Sequence, residues 1–190
     1  VHSAGDRVSD SAGTDTILLR TGSIRLGGLF VENVTGDISG QTFSITGNSL
    51  ANVLTGGALA DTINASSGND TLIGGAGNDL LIAGTGQDQF VFNTALGASN
   101  IDKIQGYRVT DDTILLDDAV FTALGAPGSL AAGAFKAGAA ATEADDRIIF
   151  NAGTGALLYD ADGVGGTAAV QFATLTSVIG TITYAEFLII

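Results

Sequence analysis

The chain is 190 residues long, which favours one domain or one repeat array with a cap. It has no cysteine, and so no disulfide framework, thiolate metal site or cysteine nucleophile; its net charge of −13, from 20 acids against 7 bases, argues against nucleic-acid partners. Only three of the acids are glutamate (Glu32, Glu143, Glu186), glycine reaches 28 and the one histidine is His2, a bias toward carboxylates at turns and hard-cation sites and away from triads or histidine-rich zinc sites.

Val1 opens the chain with neither methionine nor a signal-peptide pattern, so the sequence reads as a fragment or processed portion of a longer protein. The segments Gly13–Leu19 (GTDTILL) and Phe30–Gly40 (FVENVTGDISG) are β-rich and punctuated by glycine. A nine-residue period follows: Gly47–Thr55, Gly56–Asn64, Ala65–Ile73, Gly74–Ile82 and Ala83–Val91. Position six reads Asn52, Asp61, Asp70, Asp79, Asp88, and position eight reads Leu54, Ile63, Leu72, Leu81, Phe90, with Ile45 one step upstream.

Each column has its own physics. Position eight turns an apolar side chain inward, and stacked coils bury a ladder of these, each worth roughly 1.5–3 kcal/mol when fully covered. Glycine or small residues at the first positions allow a tight bend. Position-six carboxylates from stacked turns lie close together and repel, unless a divalent cation reverses the sign. No Lys or Arg occurs from Leu26 to Asp102, so the array holds no neutralising side chain of its own.

The block GGAGNDLLI, Gly74–Ile82, matches the nonapeptide G-G-x-G-x-D-x-U-x, given in general accounts of repeat proteins as the calcium-binding RTX repeat. The chain thus resembles the haemolysin-type repeats of proteins exported by bacterial type I secretion. The resemblance implies an all-β fold: a right-handed parallel β-roll of calcium-binding nonapeptides, followed by a β-sandwich-like C-terminal cap. It divides the chain into degenerate β-helical lead-in turns (1–46), the roll (47–92) and a cap with the export signal (93–190). It also implies Ca2+ bound between position-six residues 18 apart, with backbone carbonyls from the turns. Carried over by position, Asp61 pairs with Asp79 using carbonyls of Gly56, Ala58, Gly75 and Gly77, with Gly74 and Ala76 in the same full-consensus turn. Asp70 pairs with Asp88 using Ala65, Ser67, Gly84 and Gly86. A weaker site pairs Asn52 with Asp70 using Gly47, Ser49, Ser66 and Gly68. The Gly56 block departs from the pattern with Leu59 where glycine is usual, and Phe43 holds the position-six phase upstream, so the lead-in turns are expected to be free of calcium.

At the end of the array, in Asp88–Phe92 (DQFVF), the aromatic of the apolar column, Phe90, resembles an end-of-roll signal, and Ile101–Asp117 resembles a capping strand pair. Asp102 matches the family's first aspartate there and is expected to complete a last site with Asp88, using carbonyls of Ala83 and Thr85. Asp111 and Asp112 read as solvated hairpin charges. Ser129–Ala144 is alanine-rich and reads as one short helix, interrupted at Gly133 and Gly138, or as a loop. Ile148–Phe150 and Ala156–Tyr159 flank a glycine-rich turn and read as a hairpin. Asp160–Gly163 begins like an EF-hand loop, but Val164 and Gln171 stand where that loop needs ligands, so an acidic turn is the better reading. Gly180–Ile190 resembles an uncleaved type I export signal and also reads as a final cap element. The uncharged stretches Ala119–Phe135 and Gly163–Ala185 are broken by glycine, Pro127 or polar residues, and neither reads as a membrane span.

The resulting function is a secreted, extracellular calcium-binding module that folds on extracellular calcium. Its partners are calcium ions, the type I secretion apparatus and an upstream domain of the same chain. The alternative is an accessory polysaccharide-binding or adhesive module, using Tyr107, Tyr159, Tyr184 and the bases Arg20, Arg25, Arg108, Lys136 and Arg147. The chain itself reads as non-catalytic: no nucleophile–base pair or phosphate loop is legible, and the adjacent acids Asp111/Asp112 and Asp145/Asp146 would point to opposite faces of a strand.

Overall fold

The computed structural model describes residues 13–37 and 40–190. Val1, His2, Ile38 and Ser39 lie outside the described residues. From Thr16 to Leu116 the chain coils through eleven short strands: β1 (Thr16–Leu19), β2 (Gly22–Arg25), β3 (Asn33–Gly36), β4 (Phe43–Thr46), β5 (Val53–Thr55), β6 (Thr62–Asn64), β7 (Thr71–Ile73), β8 (Leu80–Ile82), β9 (Gln89–Phe92), β10 (Asp102–Gln105) and β11 (Thr113–Leu116). Odd strands pair in parallel in one sheet and even strands in the other. The result is a parallel two-sheet β-solenoid, as the nonapeptide period predicts.

The strands are three or four residues long because only the middle of each block is extended. In the triplets β5 to β8 the central residue is buried and its neighbours are not, the alternation that a pleated strand imposes. Register then stacks like on like. One ladder runs Ile17, Val34, Leu54, Leu72, Phe90, Ile114. The other runs Ile24, Ile45, Ile63, Leu81, Ile104. The two ladders face each other as the core, and Leu54, Ile63, Leu72, Leu81 and Phe90 are fully buried.

Three turns share one backbone conformation. Residues 66, 75 and 84 have φ of 73°, 95° and 99°, and residues 68, 77 and 86 have φ of 125°, 126° and 129°. The second set lies where a β-carbon is strongly disfavoured, which explains glycine at each. The blocks beginning at Gly47 and Gly56 carry Leu50 and Leu59 at that position and do not adopt the conformation.

The cap continues both sheets. Its strands are β12 (Gly128–Ser129), β13 (Phe135–Ala137), β14 (Ile148–Asn151), β15 (Ala156–Tyr159), β16 (Val170–Thr176) and β17 (Phe187–Ile189). β16 lies parallel to β10 and sets Leu175 on Ile104; β17 lies parallel to β11 and sets Phe187 on Ile114. β14 and β15 form the expected antiparallel hairpin, with Ile148 opposite Tyr159. Phe92, Phe121, Tyr159 and Phe172 close the core with edge-to-face contacts at 5.1–5.2 Å between ring centroids.

Two expectations are corrected here. Ile101–Asp117 is not a mutually paired strand couple: β10 and β11 lie in different sheets and each adds to the solenoid, because Ile104 and Ile114 fall in phase with opposite ladders. Ser129–Ala144 holds no α-helix. A 3-10 turn (Ala132–Ala134) leads into β13, which pairs in parallel with β14 and rests Phe135 against Phe187. The Gly180–Ile190 segment is a capping-box turn, with Thr183 and Glu186 bonded reciprocally, followed by β17.

Leu72→Ala, at the centre of one ladder, should destabilise the calcium-loaded chain by about 2–5 kcal/mol in urea unfolding. Leu59→Ala, at a site 42% exposed, should change it by about 0.5 kcal/mol or less.

Candidate metal centre

Each position-six side chain sits immediately before a strand, so the two sheets give two columns of acids. Beside the even strands stand Asp61, Asp79 and Asp102; beside the odd strands stand Asn52, Asp70, Asp88 and Asp112. All seven are at most 5% exposed. Each Asp accepts, through Oδ1, the backbone N–H of its predecessor one coil back. Phe43 donates to Asp61 (2.6 Å), Asn52 to Asp70 (2.7 Å), Asp61 to Asp79 (2.7 Å) and Asp70 to Asp88 (3.0 Å). Asp79 donates to Asp102 (3.0 Å) and Asp88 to Asp112 (3.1 Å).

The oxygen that faces the side chain's own turn, the second one in each Asp and the single Oδ1 in Asn52, separates the turns into two kinds. In Asn52, Asp61 and Asp112 the amide four residues upstream turns in and binds the side chain: Asn48 N–H to Asn52 Oδ1 (2.9 Å), Gly57 N–H to Asp61 Oδ2 (2.5 Å) and Arg108 N–H to Asp112 Oδ2 (2.8 Å). In Asp70, Asp79 and Asp88 the second oxygen is buried with no hydrogen-bond partner. These three belong to the turns whose second residue (Ser66, Gly75, Gly84) has positive φ. A peptide rotated into that region cannot present the same N–H to the carboxylate, so the oxygen is left open.

An open, buried carboxylate oxygen is costly unless something positive meets it. Arg20 and Asp37, 3.9 Å apart, form the ion pair found among the described residues, and neither is one of the column residues. Burial accordingly pushes the carboxyls up from 3.8, to about 7 for Asp70 and Asp102 and about 6 for Asp79 and Asp88, against the lowering effect of the backbone amides. Among the described residues no three acidic, His or Cys side chains cluster, and the oxygens gathered at these turns are those of paired carboxylates and of the backbone. That donor set, oxygen only and preorganised by turns, fits a hard cation such as Ca2+, which takes 6–8 oxygens.

The carbonyl donors expected from sequence, Gly56, Ala58, Ala65, Ser67, Gly74, Gly75, Ala76, Gly77, Ala83, Gly84, Thr85 and Gly86, with Gly47, Ser49, Ser66 and Gly68, lie on these same stacked turns. Several already accept one protein hydrogen bond: Gly75 from the Thr94 hydroxyl (2.8 Å), Thr85 from Gly68 N–H (3.0 Å) and Ser66 from Thr85 N–H (3.1 Å). A carbonyl keeps a second lone pair after one such bond.

The expected Asp102–Asp88 pairing is corrected. Asp102 opens an even strand and stacks on Asp79, while Asp88 precedes an odd strand and stacks under Asp112. Asp112 is not a solvated hairpin charge; it is 4% exposed and ends its column. Sequence reasoning also passed over Glu32, whose Oε2 accepts Asp15 N–H (2.9 Å) in the manner of the aspartate column. The signal for both was an acid two residues before an apolar ladder residue: Glu32 before Val34 and Asp112 before Ile114.

Other candidate residues play structural parts. Tyr107 and Tyr159 are buried; Tyr107 donates its hydroxyl proton to the Asp112 carbonyl (2.9 Å) and Tyr159 accepts Ala123 N–H (2.7 Å). Of the three tyrosines only Tyr184 is exposed. Asp160 Oδ1 accepts Gly163 N–H (2.9 Å) and Asp146 accepts the Thr142 and Glu143 amides (2.7 and 2.8 Å), so both carboxylates tie their own turns.

The geometry is that of a parallel β-solenoid with carboxylates ranked along its turns. Residues 46–81 and 55–90 match the model of the RTX calcium-binding nonapeptide repeat, in four copies. The chain therefore contains an RTX array over residues 46–90, a repeat type that binds Ca2+ and is characteristic of secreted bacterial proteins. No match is found among curated proteins. Among the described residues no helix is long and apolar enough to cross a membrane.

The raised carboxyls make a pH prediction. In the absence of metal they favour the protonated fold, so that stability is fully present below about 3.8 and is lost as pH rises through about 6–7. In chelator, thermal unfolding followed by circular dichroism should show a higher midpoint at pH 5 than at pH 7.5. With saturating calcium the order should reverse, because protons compete for the same oxygens.

Proposed function

We propose that this chain is a calcium-responsive folding module of a larger secreted protein, kept from stable folding at low calcium and folded by calcium outside the cell. The observation that carries the reading is the trio of buried, unpartnered oxygens on Asp70, Asp79 and Asp88. A bound divalent cation would supply the missing positive charge and accept those oxygens. The chain's own part is to hold the carboxylates in line, through the amide donated from one coil back, and to cover them with the turns.

The energetics follow from mass action. A ligand that binds only the folded state adds RT ln(1 + [L]/Kd), about 2.7 kcal/mol at a hundredfold excess over Kd. Extracellular calcium modules bind at about 10⁻⁴ to 10⁻³ M, so each site contributes little in a low-calcium cytosol and more outside. The stretch from Leu26 through Asp102 has seven acids and no base, which keeps the metal-free chain self-repelling and suited to export in an unfolded state through a type I channel. The absence of cysteine fits such a passage. The C-terminal segment in this reading acts first as the export signal and then packs as β17.

Far-UV circular dichroism during calcium titration tests the reading. The expected course is a disordered spectrum in chelator that becomes β-rich near ~1 mM calcium, with magnesium ineffective. Asp79→Ala should move the midpoint to several-fold higher calcium. A β-rich spectrum indifferent to chelator and to that substitution would remove the folding switch.

A further inference from the structure

The eighteen-residue spacing of the RTX repeat pairs Asp61 with Asp79, but the two carboxylates are not in the same state. Asp61 is closed: Phe43 N–H binds its Oδ1 (2.6 Å) and Gly57 N–H binds its Oδ2 (2.5 Å). In the coil before it, Phe43 places an aromatic side chain at position six. Asp79 Oδ2, by contrast, is buried and unpartnered. It converges with a carboxylate from outside the repeats: a methyl group added to Gly74 would strike Asp79 Oδ2 and come within 3.0 Å of Asp102 Oδ2. Among the described residues no amide reaches Asp102 Oδ2, and Lys103 beside it faces solvent.

We propose that the even-strand column binds its cation between Asp79 and Asp102, across the end of the repeats, and that Asp61 is not a ligand. This rests on the calcium-module reading. The chain between Asp79 and Asp102 is five residues longer than a regular pair of blocks, and the extra length is pinned onto the Gly74 turn. Gly77 N–H donates to Asn100 Oδ1 (2.9 Å), Ile101 N–H to Asn78 Oδ1 (2.7 Å) and the Thr94 hydroxyl to the Gly75 carbonyl (2.8 Å). Asn100 Nδ2 in turn donates to Thr94 Oγ1 (2.9 Å). The 94–101 loop thus takes the place of the next glycine-rich turn. Because β10 carries β16 on its far edge, a cation here ties the cap to the array rather than one repeat to the next.

The test counts calcium ions on the full 190-residue chain by native mass spectrometry, with affinities from isothermal titration. Asp61→Asn should keep the wild-type count with an affinity change under threefold; asparagine can keep the amide four residues upstream, as Asn52 does, while the Phe43 amide loses its acceptor. Asp102→Asn should lose one ion. Loss of an ion in Asp61→Asn, or an unchanged count in Asp102→Asn, overturns the proposal. If Asp102→Asn does not become β-rich in calcium, anomalous diffraction from the unsubstituted chain loaded with terbium decides: a peak between Asp79 and Asp102 upholds the assignment, and one between Asp61 and Asp79 with none at Asp102 overturns it. A wild-type chain that binds no calcium would instead sink the module reading on which the proposal stands.

Discussion

From Asp61 onward, each coil of the array is locked to the one before it in its sheet by a buried carboxylate that accepts a backbone amide one coil back. The bond recurs from Asp61 to Asp112 at 2.6–3.1 Å. It fixes register, because the donor holds the same place in its own coil as the acid it binds, and so it brings the ladder residues two positions on into line. It also creates the central difficulty of the fold, since an ionised group is placed where water does not reach. Hydrogen bonds from amides favour the charged form, but one bond per carboxylate leaves half of it unsatisfied. The second oxygen must be met by another amide or by a cation, and the φ angle of one turn residue selects between them.

That choice divides the solenoid along its axis. Toward the lead-in, Asn52 and Asp61 are satisfied by amides of their own turns; at the far end of the odd column Asp112 is satisfied by Arg108 N–H. Between them lie the three turns with open oxygens. The apolar ladders show no such break. They run unbroken from Ile17 to Phe187 and from Ile24 to Leu175, through lead-in, repeats and cap alike. Hydrophobic burial therefore favours one continuous stack, while electrostatics penalises its middle.

The columns at positions six and eight were legible in the sequence because period nine repeats five times without a gap. The hairpin over Ile148–Tyr159 was legible from alternation around a glycine-rich turn. What stayed hidden was hidden for particular reasons. Glu32 and Asp112 occupy column positions but follow connections of other lengths, so counting in nines steps past them. Asp102 was seen, yet assigned to the wrong column, because the loop at residues 93–101 shifts the count and the side of the roll is set by which sheet the next strand joins. The distinction between Asp61 and Asp79 left one trace in the sequence: Leu59 stands at position four of the Gly56 block, where the Gly74 block has Gly77. Both are aspartate at position six, and what separates them is the backbone conformation at Gly57 and Gly75, two glycines whose turns differ at position four.

Glycine at position two consequently does more than permit a bend. At Gly57 the backbone keeps its N–H on the carboxylate; at Gly75 and Gly84 positive φ takes that donor away. Ser66 adopts the same conformation at φ 73° despite its β-carbon, so the stack imposes the geometry and the residue type only eases it. A β-carbon at φ > 0 is strained, and the donor surrendered by the turn leaves a charged oxygen bare. The neighbouring coil that enforces this conformation is thereby working against the metal-free state, and the same enforcement presents a vacant, prealigned oxygen to any hard cation. Dependence on an external ion is in this sense written into a backbone dihedral angle, with the aspartate column supplying only the charge.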